Sequence, residues 1–572
     1  DTKLTLYGDS AEQVIFNMCQ RPYEDFIETY GAIPQDVVHA ALLLVTASYE
    51  HNAAVSMQNL SMVPYGFDML IKPYMRLTSA IDGDMQTVTL GSDVKIKFTA
   101  DLPDGLLLKD VDFDEDNIVV SFGAISDIHI QGSTTDSATK KYDNALALLK
   151  KYAGGKLDAV TIAGDISNSS YTSSIGNAFK AVTDAQLGAD ANVFFVTGNH
   201  DAQDGQWSTL SQIYSDLAKY TANDLPSSQL DRGNRHKVIN GYHYIAVNMM
   251  DYWNSAEATF DKKDLEWLDQ ELEAARAAAP GQPIFVYVHA GVYGTTYGSD
   301  LYTGKHWGSK LIKDCLDDYP EVVTFSGHVH FPLADERTIY QKDFTSLNCG
   351  SVQYMAIESG YLQTGSSTTM DDSHNVSNGL LVQVDKNNNL KITRLDFAND
   401  KVIKQPFYIP APDLENKSHL YHYNDAYFNA DNTAPVFEAD ANVSGKIAGD
   451  NMVVTFDAAA DNDMVHHYVI EIKGKQSGSM KSVKALSEFY LYPQPEDFPD
   501  DYTFVIPYTM SAGDDAFEIA IYAVDSMGLK SEPIVYESKP GDIPDDVEIP
   551  VSDNLFTNGD FEQGSKNGWT AW

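Results

Sequence analysis

The sequence predicts a mixed α/β protein with a helical N-terminal segment and an all-β C-terminal region. Between about residues 116 and 407, short apolar runs alternate with amphipathic helical stretches, which is typical of βαβ units. The clearest helix is predicted over 264–276, and a closing hairpin over 379–385 and 390–396. From 433 to 538, turns rich in Asp, Gly and Asn separate short β runs, the pattern of an all-β sandwich. The runs are predicted over 452–456, 467–473, 502–506 and 517–524. Residues 1–80 contain apolar helical runs, including one over 34–50.

The composition limits the classes of function. The 572 residues allow several domains, and 82 acidic against 39 basic residues give a formal net charge of −43. Such a charge opposes non-specific nucleic-acid binding, which needs a positive surface, and it repels anionic membranes. The three cysteines form no Cys-x-x-Cys pair, so neither a zinc ribbon nor a disulfide framework is indicated. No apolar run is long enough to span a bilayer, and we expect neither a nucleic-acid partner nor a membrane span.

Changes of pattern divide the chain into seven segments. A helical segment (1–80) and a β bridge or linker (81–115) precede the central α/β region (116–407). A connector (408–432) then leads to the β-sandwich (433–538), a linker rich in Pro and Asp (539–552) and a short final segment (553–572).

Polar residues follow five apolar strand candidates of the central region. The first candidate ends before Asp127-Ile128-His129, and the next before Gly164-Asp165. The other three lead to Gly198-Asn199-His200-Asp201, to His289, and to Gly327-His328-Val329-His330. Ligands bind at the carboxyl edge of open α/β sheets, and buried polar side chains cost free energy unless they are paired or hold a metal. Carboxylate, amide and imidazole ligands suit Mn, Fe or Zn, and there are too many for one tetrahedral site, so the sequence predicts two metal ions.

The order Asp-x-His, Gly-Asp, Gly-Asn-His-Asp, His and Gly-His-x-His resembles that of the calcineurin-like metallophosphoesterase superfamily over residues 116–407. The resemblance implies a four-layer sandwich of two facing sheets with helices outside. It implies an enzyme that hydrolyses a phosphate ester by attack of a hydroxide bridging two divalent or trivalent metal ions. One ion would be held by Asp127, His129, Asp165 and His330, and the other by Asp165, Asn199, His289 and His328, with Asp165 as the bridge.

The same resemblance implies roles for residues that do not hold metal. His200 would be catalytic, facing the phosphoryl group and stabilising or protonating the leaving oxygen. Asp201 would hold the His200 ring or, alternatively, cap the next helix. Tyr293, Tyr297 and His306 lie in the loop after His289, where they would either shape the substrate pocket or face solvent.

Departures from subfamily patterns bear on the substrate. Purple acid phosphatases carry Tyr three residues after the bridging Asp, where this chain has Asn168, so we expect no tyrosinate–iron chromophore. They also favour Glu at the place of Asp201. The Gly-Asn-His-Asp form is closer to class III cyclic-nucleotide phosphodiesterases. A phosphodiesterase is therefore favoured, and a phosphomonoesterase that uses the same site is the alternative.

The flanking segments carry resemblances of their own. Residues 1–80, with Ile33-Pro34 and Pro64-Tyr65-Gly66, resemble helical head–tail connector proteins of tailed phages, or form an unrelated helical cap. The run 522–533 resembles the final hairpin of fibronectin type III-like domains. The run 554–564, with Trp569 and Trp572, resembles the first strand of a carbohydrate-binding module, of which 553–572 would be a truncated start.

These modules imply a bacterial protein that is secreted or displayed at the cell surface. Its substrate would be a phosphate-ester small molecule or polymer, and cell-surface carbohydrate would be a partner of the C-terminal modules. A non-catalytic glycan-binding or assembly protein is the alternative from another class.

Overall fold

The computed structural model describes residues 111–201, 207–225, 232–249, 260–300, 310–424, 428–429 and 432–539, together with Val37, Ala40 and Ala41. The chain forms two compact units, Asp1–Thr99 and Ala100–Trp572. The predicted helical segment over 1–80, the β bridge up to residue 110 and the segments after residue 539 lie outside the described residues, apart from the three named above. All strands given below belong to the second unit.

The second unit begins with alternating strands and helices and ends with strands. Its first elements are β1 (Ile118–Ile125), α1 (Ser137–Tyr152), β2 (Ala159–Ile162), α2 (Ser173–Leu187), β3 (Val193–Phe195), α3 (Trp207–Asp216), α4 (Ala218–Thr221), β4 (Arg235–Ile239), β5 (Tyr242–Ala246), α5 (Lys262–Ala278), β6 (Ile284–Tyr287), α6 (Lys310–Leu316) and β7 (Val322–Ser326). There follow β8 (Ile339–Gln341), β9 (Thr345–Asn348), β10 (Asn378–Asp385), β11 (Leu390–Asp396), β12 (Lys401–Val402) and β13 (Phe407–Ile409). The last strands are β14 (Val443–Ala448), β15 (Asn451–Asp457), β16 (Val465–Gly474), β17 (Met480–Leu486), β18 (Asp501–Pro507), β19 (Phe517–Asp525) and β20 (Ile534–Glu537).

Two mixed sheets carry the α/β part. The first has the strand order β12-β11-β10-β1-β2-β3, with β13 paired to β11, and the second has the order β4-β5-β6-β7-β9-β8. In the first sheet β1, β2 and β3 run parallel, and in the second β5, β6, β7 and β9 do. The carboxyl ends of these parallel strands therefore share one edge in each sheet. The hairpin predicted over 379–385 and 390–396 is confirmed as β10 and β11.

The two sheets pack against each other through aromatic side chains. The ring of Phe122 on β1 lies 5.3 Å from that of Tyr244 on β5 and 4.9 Å from that of Phe285 on β6. These rings belong to one buried cluster that contains residues of both sheets. A second cluster joins the first sheet to α1 and α2, and a third joins the second sheet to α5 and α6. Burial of apolar surface in these clusters stabilises the arrangement of the sheets.

Helix α5 illustrates how the sequence sets a helix boundary. The Asp261 carboxylate accepts hydrogen bonds from the backbone N–H groups of Lys263 and Asp264, and Asp264 accepts one from the Asp261 N–H. This capping box starts the helix two residues before the predicted 264–276. Leu268 and Leu272 are fully buried, whereas Leu265 packs at the margin of the cluster.

The C-terminal strands form two antiparallel sheets, which we call the β-domain (432–539). Their orders are β14-β15-β18 and β17-β16-β19-β20. The β runs predicted over 452–456, 467–473, 502–506 and 517–524 are confirmed by β15, β16, β18 and β19. A separate cluster of buried apolar residues fills the β-domain. The likeness of this region to fibronectin type III-like domains stays a prediction.

The β-domain also contacts the loop between β9 and β10. The Leu362 N–H donates to the Lys484 carbonyl over 2.7 Å. The Gln363 side chain donates to the Leu486 carbonyl and accepts from the Leu486 N–H. Because these contacts are backbone-directed, they hold the loop in one register against β17. Within the part of the chain that the structure describes, no helix is long and apolar enough to cross a membrane.

Candidate metal centre

The carboxyl ends of the parallel strands deliver the seven predicted metal ligands to one place. Asp127 and His129 follow β1, Asp165 follows β2, and Asn199 follows β3 in the first sheet, while the remaining three follow β6 and β7 in the second. All seven are buried, namely Asp127, His129, Asp165, Asn199, His289, His328 and His330. The site therefore lies where the edges of both sheets meet.

Five of these residues have a backbone conformation that L-residues rarely adopt. The φ angles are 54° for Asp127, 55° for His129, 52° for Asp165, 70° for His328 and 56° for His330. Left-handed backbone at a non-glycine residue costs about 1–3 kcal/mol and is found mainly where the surrounding structure enforces it, often at functional sites. The fold therefore holds these five side chains in their orientations at a cost in folding free energy.

Glycines of the motifs make room for the ligands. A Cβ atom on Gly164, whose φ is +102°, would lie 2.3 Å from Nδ1 of His289. A Cβ atom on Gly327 would lie 1.8 Å from Ser126 Oγ and 2.3 Å from Asp127 Oδ2. Only a residue without a side chain allows the strand ends of the two sheets to approach this closely.

One group of donor atoms is formed by Asp127, His129 and His330. Nε2 of His330 lies 2.9 Å from Asp127 Oδ1 and 3.3 Å from Nε2 of His129. Nε2 of His129 is 3.7 Å from the same carboxylate oxygen. One atom from each residue falls within 4.8 Å of the other two, so the three could hold one ion.

A second group is formed around His289. Its Nε2 atom lies 3.3 Å from Asp165 Oδ2 and 3.0 Å from Asn199 Oδ1. Its ring centroid is 4.9 Å from that of His328. Asp165 Oδ2 is also 4.0 Å from Nε2 of His129, so one carboxylate oxygen stands between the two groups. This is the position that a bridging ligand requires.

Backbone N–H groups fix the other oxygen of each carboxylate. The His328 N–H donates to Asp127 Oδ2 over 2.9 Å, and the His200 N–H donates to Asp165 Oδ1 over 2.8 Å. Each loop that supplies a ligand thereby orients a carboxylate from another strand. Both Asp127 and Asp165 are left with one oxygen that faces the histidines.

The electrostatics of the group favour ionised carboxylates. Burial would raise the pKa values of both carboxyls, but neighbouring histidines hold the pKa of Asp165 at about 2 and that of Asp127 well below its usual range. Burial would lower the pKa of His289, yet the Asp165 carboxylate raises it to about 9. Burial and then the charge of His289 keep the pKa of His328 far below its ordinary value.

The residues present fit metal ions. Ionised carboxylates, imidazoles and an amide oxygen bind borderline divalent ions, and an ion bound by His289 would displace the proton that its raised pKa retains. Among the described residues, Nε2 of His129 and Nε2 of His330 lie 3.3 Å apart, and both face Asp127 Oδ1. Buried polar atoms packed this closely are costly unless something compensates them, and a cation between the histidines would do so.

His200 differs from the seven ligands because it is only half-buried. Its ring is 4.8 Å from that of His129, in an edge-on arrangement. Its Nδ1 atom lies 2.7 Å from the carbonyl oxygen of Asn168, to which it donates, so Nε2 is the ring nitrogen left for another role. His200 can also join a three-residue donor group with His129 and Asp165, although the sequence predicted it as a non-ligand.

The predicted role of Asp201 as the residue that holds the His200 ring is wrong. The carbonyl of Asn168 takes that place. The buried Asp201 carboxylate instead accepts hydrogen bonds from the N–H groups of Ser167 and Gly198 and from the Ser167 hydroxyl. The alternative role, a cap on the next helix, stays a prediction, because residues 202–206 lie outside the described residues. Asp201 ties the loop after β2 to the loop after β3, and its physical role is to position Asp165 and Asn199.

The predicted substrate residues lie in different surroundings. The Tyr297 ring packs 4.8 Å from Phe331 and under the Arg337 guanidinium, and its hydroxyl is 3.4 Å from Nε2 of His466 in the β-domain. Tyr293 lies under the ammonium group of Lys310. His306 lies outside the described residues. A substrate contact by any of these residues stays a prediction.

Sequence reasoning missed the segment after β9. Tyr354 packs with its ring centroid 4.3 Å from that of His330 and 5.6 Å from that of His129. The sequence carries no signal for it, because β9 reads Thr-Ser-Leu-Asn and is not an apolar run, and no Asp or His follows directly at its end. Only the packing of the second sheet brings this tyrosine to the site.

Comparison with known proteins finds a family match for part of the chain. Residues 120–332 match the family described as calcineurin-like phosphoesterase. No curated protein matches the chain. Among solved structures, purple acid phosphatase PPD1 from yellow lupin (Lupinus luteus) is 11% identical over 51% of this chain and 53% of its own, with a TM-score of 0.32.

Two other solved structures also match parts of the chain. A Staphylococcus aureus protein assigned as a 5′-nucleotidase is 13% identical over 73% of this chain and 89% of its own, with a TM-score of 0.30. The twitchin kinase region from C. elegans is 20% identical over 20% of this chain and 17% of its own, with a TM-score of 0.14. The chain thus spans about half of the lupin enzyme and a small part of twitchin. Residues 120–332 form a calcineurin-like phosphoesterase domain.

Proposed function

We propose that this protein is a dinuclear metal-dependent phosphoesterase, and that its substrate is a phosphodiester. The observation that carries the proposal is the position of Asp165 Oδ2, 3.3 Å from Nε2 of His289 and 4.0 Å from Nε2 of His129. One carboxylate oxygen shared by two adjacent donor groups is what two neighbouring ions need.

The chain's own residues would hold both ions. Asp127, His129 and His330 would bind one, Asn199, His289 and His328 would bind the other, and Asp165 would bind both. Two such ions, Mn, Fe or Zn, would supply a nucleophilic hydroxide near neutral pH and offset the charge of the phosphate.

His200 is the residue suited to the leaving group. Its Nδ1 atom is committed to the carbonyl of Asn168, and its half-buried ring stands beside that of His129. A proton on Nε2 could pass to the ester oxygen as the bond from phosphorus to that oxygen breaks. Water provides the new oxygen on phosphorus, and the alcohol departs with the proton from His200.

The charge around the centre supports a diester over a monoester. A diester carries one negative charge and a monoester two, and a dianion is usually met by an Arg or Lys side chain. The described side chains that contact the candidate metal ligands carry imidazole, carboxylate, amide and phenol groups. Lys141 lies on this side of the domain, but its ammonium donates to the backbone carbonyls of Gln353, His374 and Val376.

A comparison of two chromogenic esters tests the proposal. Hydrolysis of bis-p-nitrophenyl phosphate and of p-nitrophenyl phosphate would be measured with Mn for wild type and Asp165→Ala. We expect faster turnover of the diester, and loss of that turnover in Asp165→Ala. Asp440→Ala, an exposed position in the β-domain, is the matched control and should behave as wild type.

The outcomes separate the candidate functions. Preference for the monoester would replace the diesterase with the phosphomonoesterase alternative. Absence of metal and of metal-dependent turnover would favour the non-catalytic binding protein. The extracellular location and the carbohydrate partner also belong to this proposal, and their support is the resemblance of 433–538 and 553–572 to secreted modules.

A further inference from the structure

The segment after β9 runs along the metal centre. The Gln353 N–H donates to the carbonyl of Asp127 over 3.2 Å, and the Ala356 N–H donates to the carbonyl of His330 over 3.0 Å. Tyr354 lies between these two attachment points. Hydrogen bonds to the backbone of Asp127 and His330, two predicted ligands, therefore fix the position of Tyr354 relative to the site.

The Tyr354 side chain packs directly on the first donor group. Its ring centroid is 4.3 Å from that of His330, and its carbonyl accepts from Nδ1 of His330 over 3.2 Å. The ring of His129 is 5.6 Å away. Tyr354 thus orients the His330 imidazole and leaves Nε2 of His330 facing Asp127.

The phenol of Tyr354 is a donor without a described acceptor. Other tyrosines of the domain vary in this respect: the Tyr142 hydroxyl bonds to Thr183, whereas the buried hydroxyls of Tyr244 and Tyr287 have no partner among the described residues. No hydrogen bond from the Tyr354 hydroxyl is found among the described residues, although the side chain is largely enclosed.

Contacts from α1 and from the β-domain keep the segment in place. Lys141 donates to the carbonyl of Gln353 from α1, and the next part of the loop is held by Gln363 against Leu486 of β17. A donor held by contacts from several elements needs little reorganisation when charge appears nearby, and it is effective for that reason.

We infer that Tyr354 is a catalytic residue that donates a hydrogen bond from its phenol to a phosphoryl oxygen of the substrate. The contact lies on the side of the centre formed by Asp127, His129 and His330. The phenol keeps its proton throughout and forms no covalent bond. The inference rests on the proposed function for the nature of the substrate, but the phosphate contact itself can be measured without hydrolysis.

The test compares Tyr354→Phe with wild type, and Tyr421→Phe, an exposed tyrosine, is the matched control. Binding of inorganic phosphate to the Mn-loaded proteins would be measured by titration calorimetry, and metal content by mass spectrometry. We expect Tyr354→Phe to keep its Mn, to bind phosphate about 10-fold more weakly, and to lose about 100-fold in kcat on bis-p-nitrophenyl phosphate. Tyr421→Phe should match wild type in all three.

Two results would overturn the inference. One is phosphate binding and turnover by Tyr354→Phe at wild-type levels. The other is loss of Mn from Tyr354→Phe, because the phenol would then act on the metal site rather than on the substrate. A third outcome separates the two proposals. If wild type hydrolyses neither ester and Tyr354→Phe binds phosphate more weakly than wild type, the proposed function is wrong but the Tyr354 contact is supported.

Discussion

Substitution of Gly327 by Ala should disable the metal centre while the fold persists. The new Cβ would lie 1.8 Å from Ser126 Oγ and 2.3 Å from Asp127 Oδ2. To reach ordinary van der Waals contact, Ser126 or the Gly327 backbone must move by roughly 1.5 Å. Overpacking of this kind costs about 1–3 kcal/mol of folding free energy. Asp127 Oδ2 also accepts from the His328 N–H, so the shift disturbs a ligand from each sheet.

The expected effect on metal binding is larger than that on stability. A misplaced carboxylate and histidine should weaken Mn affinity by about 10- to 100-fold, as loss of a supporting contact does in other metal sites. Urea unfolding of the metal-free protein would give the stability, and competition with a chromogenic chelator would give the affinity.

Gly474→Ala provides a matched control for Gly327→Ala. Its Cβ would lie 2.0 Å from Asp514 Oδ2, a comparable clash with a carboxylate, but in the β-domain. We expect it to lose stability and to keep Mn. Wild-type Mn affinity in Gly327→Ala, or equal loss of Mn from both variants, would refute the reasoning.

Three further changes test other parts of the structure. His200→Ala should keep its Mn but lower kcat about 100-fold or more on an alkyl ester, and less on a p-nitrophenyl ester whose leaving group needs little protonation. Gln363→Ala should cost about 1–3 kcal/mol in urea unfolding, because it leaves the N–H and carbonyl of Leu486 without their partners. Asp461→Asn should stabilise the protein at pH 8 and have no effect near pH 4, also measured by urea unfolding.

The pH dependence of Asp461 follows from the direction of its shift. Burial and then the neighbouring carboxylates of Asp525 and Asp463 raise its folded pKa to about 6, whereas an unfolded Asp has a pKa of about 3.9. The folded state therefore holds the proton more tightly, and stability present below about pH 4 is lost as the pH rises through 6. Asn removes that loss and can still accept the hydrogen bond from the Asp463 N–H.

Specific results would contradict each of these expectations. Equal losses on both esters in His200→Ala would exclude proton transfer to the leaving group. Wild-type stability in Gln363→Ala would show that the Leu486 contacts are replaced by water at no cost. A stability gain in Asp461→Asn that persists at pH 4 would mean that charge is not its cause, and Asp440→Asn serves as the exposed control.

The positions of the candidate ligands were readable from the sequence because strand ends are local features. An apolar run such as Ile118–Ile125 followed by Asp127 and His129 specifies a buried strand and the polar residues at its end. Parallel pairing then places such ends at one edge, whatever the details of the loops. The β strands of the C-terminal region were predictable for the same reason, since alternation and turn residues act over a few positions.

The partners of these residues were decided by tertiary packing. Asp201 lies next to His200 in the chain, yet its carboxylate bonds to Ser167, and His200 bonds to the carbonyl of Asn168, 32 residues away. Tyr354 reaches His330 because β9 pairs in parallel with β7 and the following segment folds back over the ligands. Local sequence determines which groups lie at a strand end, because the repeat of side chains along a strand depends only on neighbouring residues. It cannot determine which groups they meet, because hydrogen bonds and ring contacts across the site depend on how separate strands and loops are packed together.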